Sequence, residues 1–235
     1  MKIYVLVPCF NEFRTIKKVI DNLLKIKLNI KIILIDDGSY DGTKEIIYNN
    51  LKKKVYRFVD LKKNHGKGYA INKAKKHVKD NGLVIIQDAD LEYNPLDFYK
   101  LFKFYLKNNN IKVVYGSRFL NKNFIEIYKS FGGSLVRIFG NKLLTLFSNI
   151  INNQKITDAH TCYKAFDSNI FRKIKLKERG FSFCPEINTK ISLLDLEIKE
   201  LPIKYISRTK KMGKKIGIKD AYYAIKTLIK YRYFY

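Results

Sequence analysis

At 235 residues and 46% apolar side chains, the chain is long enough to bury an ample core as one large α/β domain or two fused halves without covalent staples. Cys9, Cys162 and Cys184 are odd in number and lack C-x-x-C spacing, which excludes a disulfide framework and a cysteine zinc site and suits a reducing cytoplasm. A formal net charge of +26 points to a polyanion, an anionic membrane surface or phosphorylated substrates, although general enrichment in Lys, Asn and Ile accounts for part of it.

Apolar runs alternate with amphipathic segments over the first half, the rhythm of βαβ units and a mostly parallel sheet. Strands are expected at residues 4–7, 32–35, 55–59, 83–87 and 112–115, and helices at 15–25, 43–50, 69–77 and 95–107. The helix after residue 42 has either Asp41 or Thr43 as its cap. The composition changes after Gly116-Ser117-Arg118. Residues 125–151 are rich in Phe, Leu and Ile at helical spacing, with Gly132-Gly133 and Gly140 expected to break them into pieces. Short strands and loops follow around 162–166 and 198–206, then a basic loop and a final helix over 219–231. No run approaches the roughly 20 apolar residues of a membrane span, and the chain enters an apolar strand without a signal-peptide layout.

The most telling segment is Val84-Ile85-Ile86-Gln87-Asp88-Ala89-Asp90-Leu91-Glu92, an apolar run closed by carboxylates two residues apart. In an extended strand Asp88 and Asp90 share a face, where their mutual repulsion calls for a divalent cation. A second apolar run, Ile32-Ile33-Leu34-Ile35, also ends in paired carboxylates, Asp36-Asp37, followed by Gly38-Ser39. Open α/β sheets bind ligands beyond the carboxyl ends of their strands, so both acidic clusters belong to one site. A nucleic-acid-binding module, suggested by the charge and the many Tyr and Phe residues, leaves those acidic strand ends unexplained.

In chain order the motifs are Pro8-Cys9-Phe10-Asn11-Glu12, Asp36-Asp37-Gly38-Ser39, Gly66-Lys67-Gly68, Asp88-Ala89-Asp90 and Gly116-Ser117-Arg118. This series resembles glycosyltransferase family 2, inverting nucleotide-sugar transferases of the GT-A fold, and within it most of all the dolichyl- and polyprenyl-phosphate mannose or glucose synthases. The resemblance implies an α/β fold with a mostly parallel central sheet flanked by helices. It implies a nucleotide-sugar-binding half over 1–116, an acceptor-binding half over 117–212 and a C-terminal basic amphipathic helix over 213–235. By the same resemblance Mg2+ or Mn2+ is held by Asp88, Asp90 and Glu92, while Pro8, Glu12, Asp37, Lys67 and Lys214 contact the nucleotide diphosphate sugar.

The resemblance further implies Arg118 against an acceptor phosphate, Arg208 and Lys214 on the departing diphosphate, and Asp90 and Asp158 at the reacting centre, with Asp158 either catalytic or orienting. Arg137 is either a second anion contact or a helix-surface charge, and Glu186 either lines the sugar pocket or stabilises a helix N-terminus. The expected acceptor is a polyprenyl phosphate at the cytoplasmic membrane face, reached by peripheral association through 127–151 and the aromatic tail. A sugar hydroxyl of a polysaccharide or cell-surface glycan is the alternative acceptor, and no nucleic acid partner is expected.

Overall fold

The structure is a computed structural model and describes residues 1–208 and 218–234. In chain order the elements are β1 (Lys2–Cys9), α1 (Ile16–Leu24), β2 (Ile30–Asp37), α2 (Thr43–Ile46), β3 (Arg57–Leu61), α3 (Lys67–Ala74) and β4 (Gly82–Ile86). They continue as α4 (Phe98–Lys107), β5 (Val113–Ser117), α5 (Phe124–Ser130), α6 (Leu135–Asn152), β6 (Lys164–Asp167), α7 (Ser168–Lys173), α8 (Phe183–Leu193), β7 (Ile198–Pro202) and α9 (Ile218–Tyr233). The chain divides into two compact units, each discontinuous in sequence: Met1–Leu91 with Cys162–Gly180, and Glu92–Thr161 with Phe181–Tyr235.

The first unit is a twisted sheet in the order β3-β2-β1-β4-β6. Strands β1 and β2 are buried over most of their length, as expected of parallel strands covered on both faces. Val5 sits opposite Ile32 on one side and Ile85 on the other, so three apolar strands share one register at the centre. Helix α1 presents Ile16, Val19, Ile20 and Leu23 to this core at helical spacing. The chain runs outward from β1 through β2 to β3, then returns to lay β4 on the opposite side of β1. That reversal opens a crevice at the carboxyl ends of β1 and β4. Strand β6 pairs antiparallel with β4, Ala165 opposite Ile85, and closes that side of the unit.

In the second unit β5 and β7 pair in parallel, Tyr115 opposite Glu200, beside helices α4 to α6, α8 and α9. Helix α5 begins at a reciprocal cap: the Asn123 side chain accepts from the Glu126 amide, and the Glu126 carboxylate accepts from the Asn123 amide, both at 2.9 Å. Gly132 and Gly133, both at positive φ, separate α5 from α6 as expected. The break expected at Gly140 is absent. Helix α6 runs through it for 18 residues, because one glycine costs a helix only about 1 kcal/mol and the turns on either side are supported.

Gly66 carries a tight backbone approach near the strand ends. Its φ is +92°, and a Cβ there would lie 2.6 Å from the Arg179 carbonyl oxygen, which accepts from the Tyr69 amide at 3.0 Å. Gly66→Ala is expected to destabilise the protein by about 2 kcal/mol through combined strain and clash, read as a lowered thermal midpoint. An unchanged midpoint would contradict this account of the turn.

Candidate functional site

The carboxyl ends of β1, β2 and β4 gather six of the residues singled out from sequence: Pro8, Glu12, Asp37, Lys67, Asp88 and Asp90. Pro8 lies within buried β1, one residue before its end at Cys9, and the loop that carries Glu12 follows. The Glu12 amide donates to Thr43 Oγ1 at 2.8 Å and its carboxylate accepts from Thr15 Oγ1 at 2.9 Å, fixing the loop after β1 against α2. Asp41 accepts from the Thr43 amide at 3.1 Å and from its hydroxyl at 2.6 Å, a turn contact ahead of α2, whose N-cap is Gly42 at positive φ and neither Asp41 nor Thr43.

Asp37, at the end of β2, accepts from the His65 amide at 3.0 Å and the Gly66 amide at 2.7 Å, so it braces the glycine turn that opens α3. Burial pushes its carboxyl up and these two amides pull it back, leaving it above its ordinary value. Asp36 is likewise raised by burial, with Ser39 donating to it against that trend. Burial, then the nearby Asp36 charge, also drives the Cys9 thiol well up, so Cys9 stays a neutral core side chain.

Asp88 and Asp90 follow β4, half-buried, with Leu91 at a positive φ of 63° turning the chain away. The Lys67 ammonium at the first turn of α3 pairs with Asp88 and lies 3.4 Å from Cys162 Sγ. Behind them Tyr163 donates to Gln87 Oε1 at 2.5 Å in a fully buried contact that holds the end of β4. Among the described residues no three His, Cys, Asp or Glu side chains converge to hold an ion by protein alone. Two carboxylates with only oxygen donors suit Mg2+ or Mn2+, which commonly take one or two carboxylates and complete their shell with substrate phosphates and water.

In the second unit, Arg118 and Asp158 form a buried bidentate pair. Asp158 accepts from Arg118 Nε and Nη2, both at 2.7 Å, and from the Arg118 amide at 3.0 Å, while Nη2 also donates to Asn141 at 3.0 Å. The guanidinium carbon lies 5.3 Å from the Phe131 ring centre and 5.1 Å from that of Tyr205. Burial opposes the Arg118 charge, and Asp158 beside it more than compensates, holding the group well above its ordinary value. The fork expected to meet an acceptor phosphate is thus turned onto Asp158. Glu200 on β7 completes the support, accepting from the Thr157 amide at 2.6 Å and the Asp158 amide at 3.0 Å, with burial raising its carboxyl.

Glu92 accepts from the Tyr205 hydroxyl and the Arg208 amide, each at 2.8 Å, and lies 3.8 Å from Arg208 Nε. It thus holds the residue that precedes the basic segment. Arg137 Nη1 donates to Ser207 Oγ at 2.9 Å and to the Arg208 carbonyl at 3.1 Å. Glu186 is buried in the first turn of α8 and pairs with Lys190 one turn on. Lys214 lies outside the described residues. Sequence reasoning missed Asn141, Glu200, Tyr205 and the pairing of Gln87 with Tyr163, because each partner is far along the chain and no local spacing links the two.

The chain is similar to the poly-beta-1,6-N-acetyl-D-glucosamine synthase of Staphylococcus epidermidis, 30% identical over 206 residues that cover 84% of this chain and 47% of that protein. It thus spans about half the length of that relative. It is also 30% identical over 209 residues to an uncharacterized protein of Methanocaldococcus jannaschii, covering 87% of this chain and 82% of the other. Among solved structures, the glucosyl-3-phosphoglycerate synthase of Mycobacterium tuberculosis, in complex with Mn2+, UDP and phosphoglyceric acid, superposes with a TM-score of 0.73 at 16% identity over 99% of this chain and 78% of that one, a likeness of fold. The same synthase is also seen with Mg2+ and UDP. The narrower expectation of a polyprenyl-phosphate sugar synthase finds no support in these relatives. Residues 4–175 match Glycosyl transferase family 2, and with the α/β fold of the GT-A type the chain belongs to that family of nucleotide-sugar transferases.

Proposed function

We propose that this chain transfers a hexose or hexosamine, with inversion, from a nucleotide diphosphate sugar to a hydroxyl of a glycan or other small acceptor. The observation that carries this reading is the pair Asp88 and Asp90 at the crevice between β1 and β4, next to Glu12 and Asp37 on neighbouring strand ends. Asp88 and Asp90 would hold Mg2+ or Mn2+, which supplies Lewis-acid stabilisation of the departing diphosphate. Lys67 is poised to add positive charge on the same side, and the Gly66-Lys67-Gly68 turn allows backbone amides to approach the donor. Glu12 and Asp37 would accept from nucleoside hydroxyls or a base N–H. The hydroxyl acceptor is favoured over the lipid phosphate by the polysaccharide synthases among the relatives. One observation favours polyprenyl phosphate as a second reading, the outward apolar face of α6.

A hydroxyl acceptor requires a base, and Asp158 is badly placed to be one, with both its oxygens engaged by Arg118 and no exposed surface. It acts as a positioning residue that fixes Arg118 and the strand end at Ser117. Asp158→Asn leaves the buried guanidinium under-compensated and is expected to lower unfolding free energy in urea by about 3–5 kcal/mol. Loss of turnover with unchanged stability would instead make Asp158 the base.

The assay for the reaction is a panel of radiolabelled UDP- and GDP-sugars offered with oligosaccharide, phosphoglycerate and undecaprenyl or dolichyl phosphate, with Mg2+ or Mn2+. Label is expected in the aqueous or insoluble glycan fraction, and Asp90→Asn is expected to reduce it by about 100-fold or more. Label in the organic phase would select the lipid acceptor, and donor binding indifferent to metal would overturn the proposal.

A further inference from the structure

Helix α6 is amphipathic in the opposite sense to a core helix. The side chains it buries are Ile138, Thr145, Ser148 and Asn152, three of them polar. Its large apolar residues face outward instead: Val136 is 80% exposed, Phe139 60%, Leu143 55%, Leu146 54% and Ile150 68%. Their spacing of three and four residues draws one continuous stripe along the helix, about 20 Å long at 1.5 Å per residue. Contiguous apolar exposure on this scale marks a surface that something covers.

Charge selects the occupant. Helix α6 carries Arg137 and Lys142 and no carboxylate, and Lys142 is exposed beside the stripe. Helix α9, packed against α6, adds exposed Tyr222, Tyr223, Tyr233 and Lys226, the amphipathic and basic types that sit at a headgroup boundary. A second copy of the chain would bring a net charge of +26 against the same charge. An anionic bilayer offers both apolar depth and opposite charge. Among the described residues no helix is long and apolar enough to cross a membrane, so a spanning role for α6 is not on offer and an in-plane one is the geometry to test.

We propose that the outward face of α6 docks in the plane of an anionic lipid surface, with Val136, Phe139, Leu143, Leu146 and Ile150 below the headgroups and Lys142 among them. The proposal stands apart from the donor and acceptor chemistry, because lipid binding is read without nucleotide. The test is flotation of the purified full chain with vesicles of phosphatidylcholine alone or mixed with phosphatidylglycerol. Binding is expected on the mixed vesicles, weakened by salt and reduced about tenfold or more by the combined Val136→Ser, Phe139→Ser and Leu146→Ser substitutions, with circular dichroism and thermal midpoint unchanged.

Lys142→Glu, a single exposed change, is expected to weaken binding several-fold even if the triple variant folds poorly. Absence of flotation would overturn the proposal, as would flotation indifferent to all these substitutions. A dimer in sedimentation velocity that the triple variant dissolves, without lipid binding, would assign the face to a second copy.

Discussion

Like charges held together at the end of a sheet are the constraint around which the first unit is organised. Asp36 and Asp37 close β2, and Asp88 and Asp90 follow β4, on strands that flank β1. Three of the four are supported in different ways. Asp37 is tied to two backbone amides, Asp36 to Ser39, and Asp88 to the Lys67 ammonium. The reversal of strand order about β1 makes this concentration of charge useful, because it separates the connections on either side and leaves the strand ends open. A site for a cation and a diphosphate is a chemical use for such an edge.

The second unit relies on a different device. The Arg118–Asp158 pair is buried, and ions so placed persist only with near-complete hydrogen bonding. Asn141, the Arg118 amide, two aromatic rings and the Glu200-braced amides of Thr157 and Asp158 provide it. Such a cluster specifies one arrangement of the segments after β5 and before β6. Glu92 does similar work at smaller scale, joining Tyr205 and Arg208 to the chain just past the Asp88-Ala89-Asp90 triplet.

Much of the first unit was legible because parallel strands and strand-end acids leave local signatures. Apolar runs predicted β1, β2 and β4 to within two or three residues, and the Asp pairs pointed to the edge that carries them. Strand β6 was less visible, being four residues long and defined by pairing with a strand some eighty positions earlier. Gly140 misled, because a glycine signals a break only where the flanking turns lack support. The partner of Arg118 was hidden for a similar reason, since forty residues separate it from Asp158 and no spacing rule spans that gap. For α6 the period was readable but the wet side was not: periodicity gives the face of a helix, not what it meets.

The discontinuity of the first unit has a consequence for synthesis. Until Lys164–Asp167 has been made, β4 is an unpaired edge of five apolar residues, and the Arg179 carbonyl that receives the Tyr69 amide does not yet exist. The nascent chain therefore carries a sticky strand through the translation of the whole intervening segment of the other unit. A fragment released before residue 180 lacks its closing strand or the lock on its glycine turn, and aggregation rather than independent folding is its physical fate.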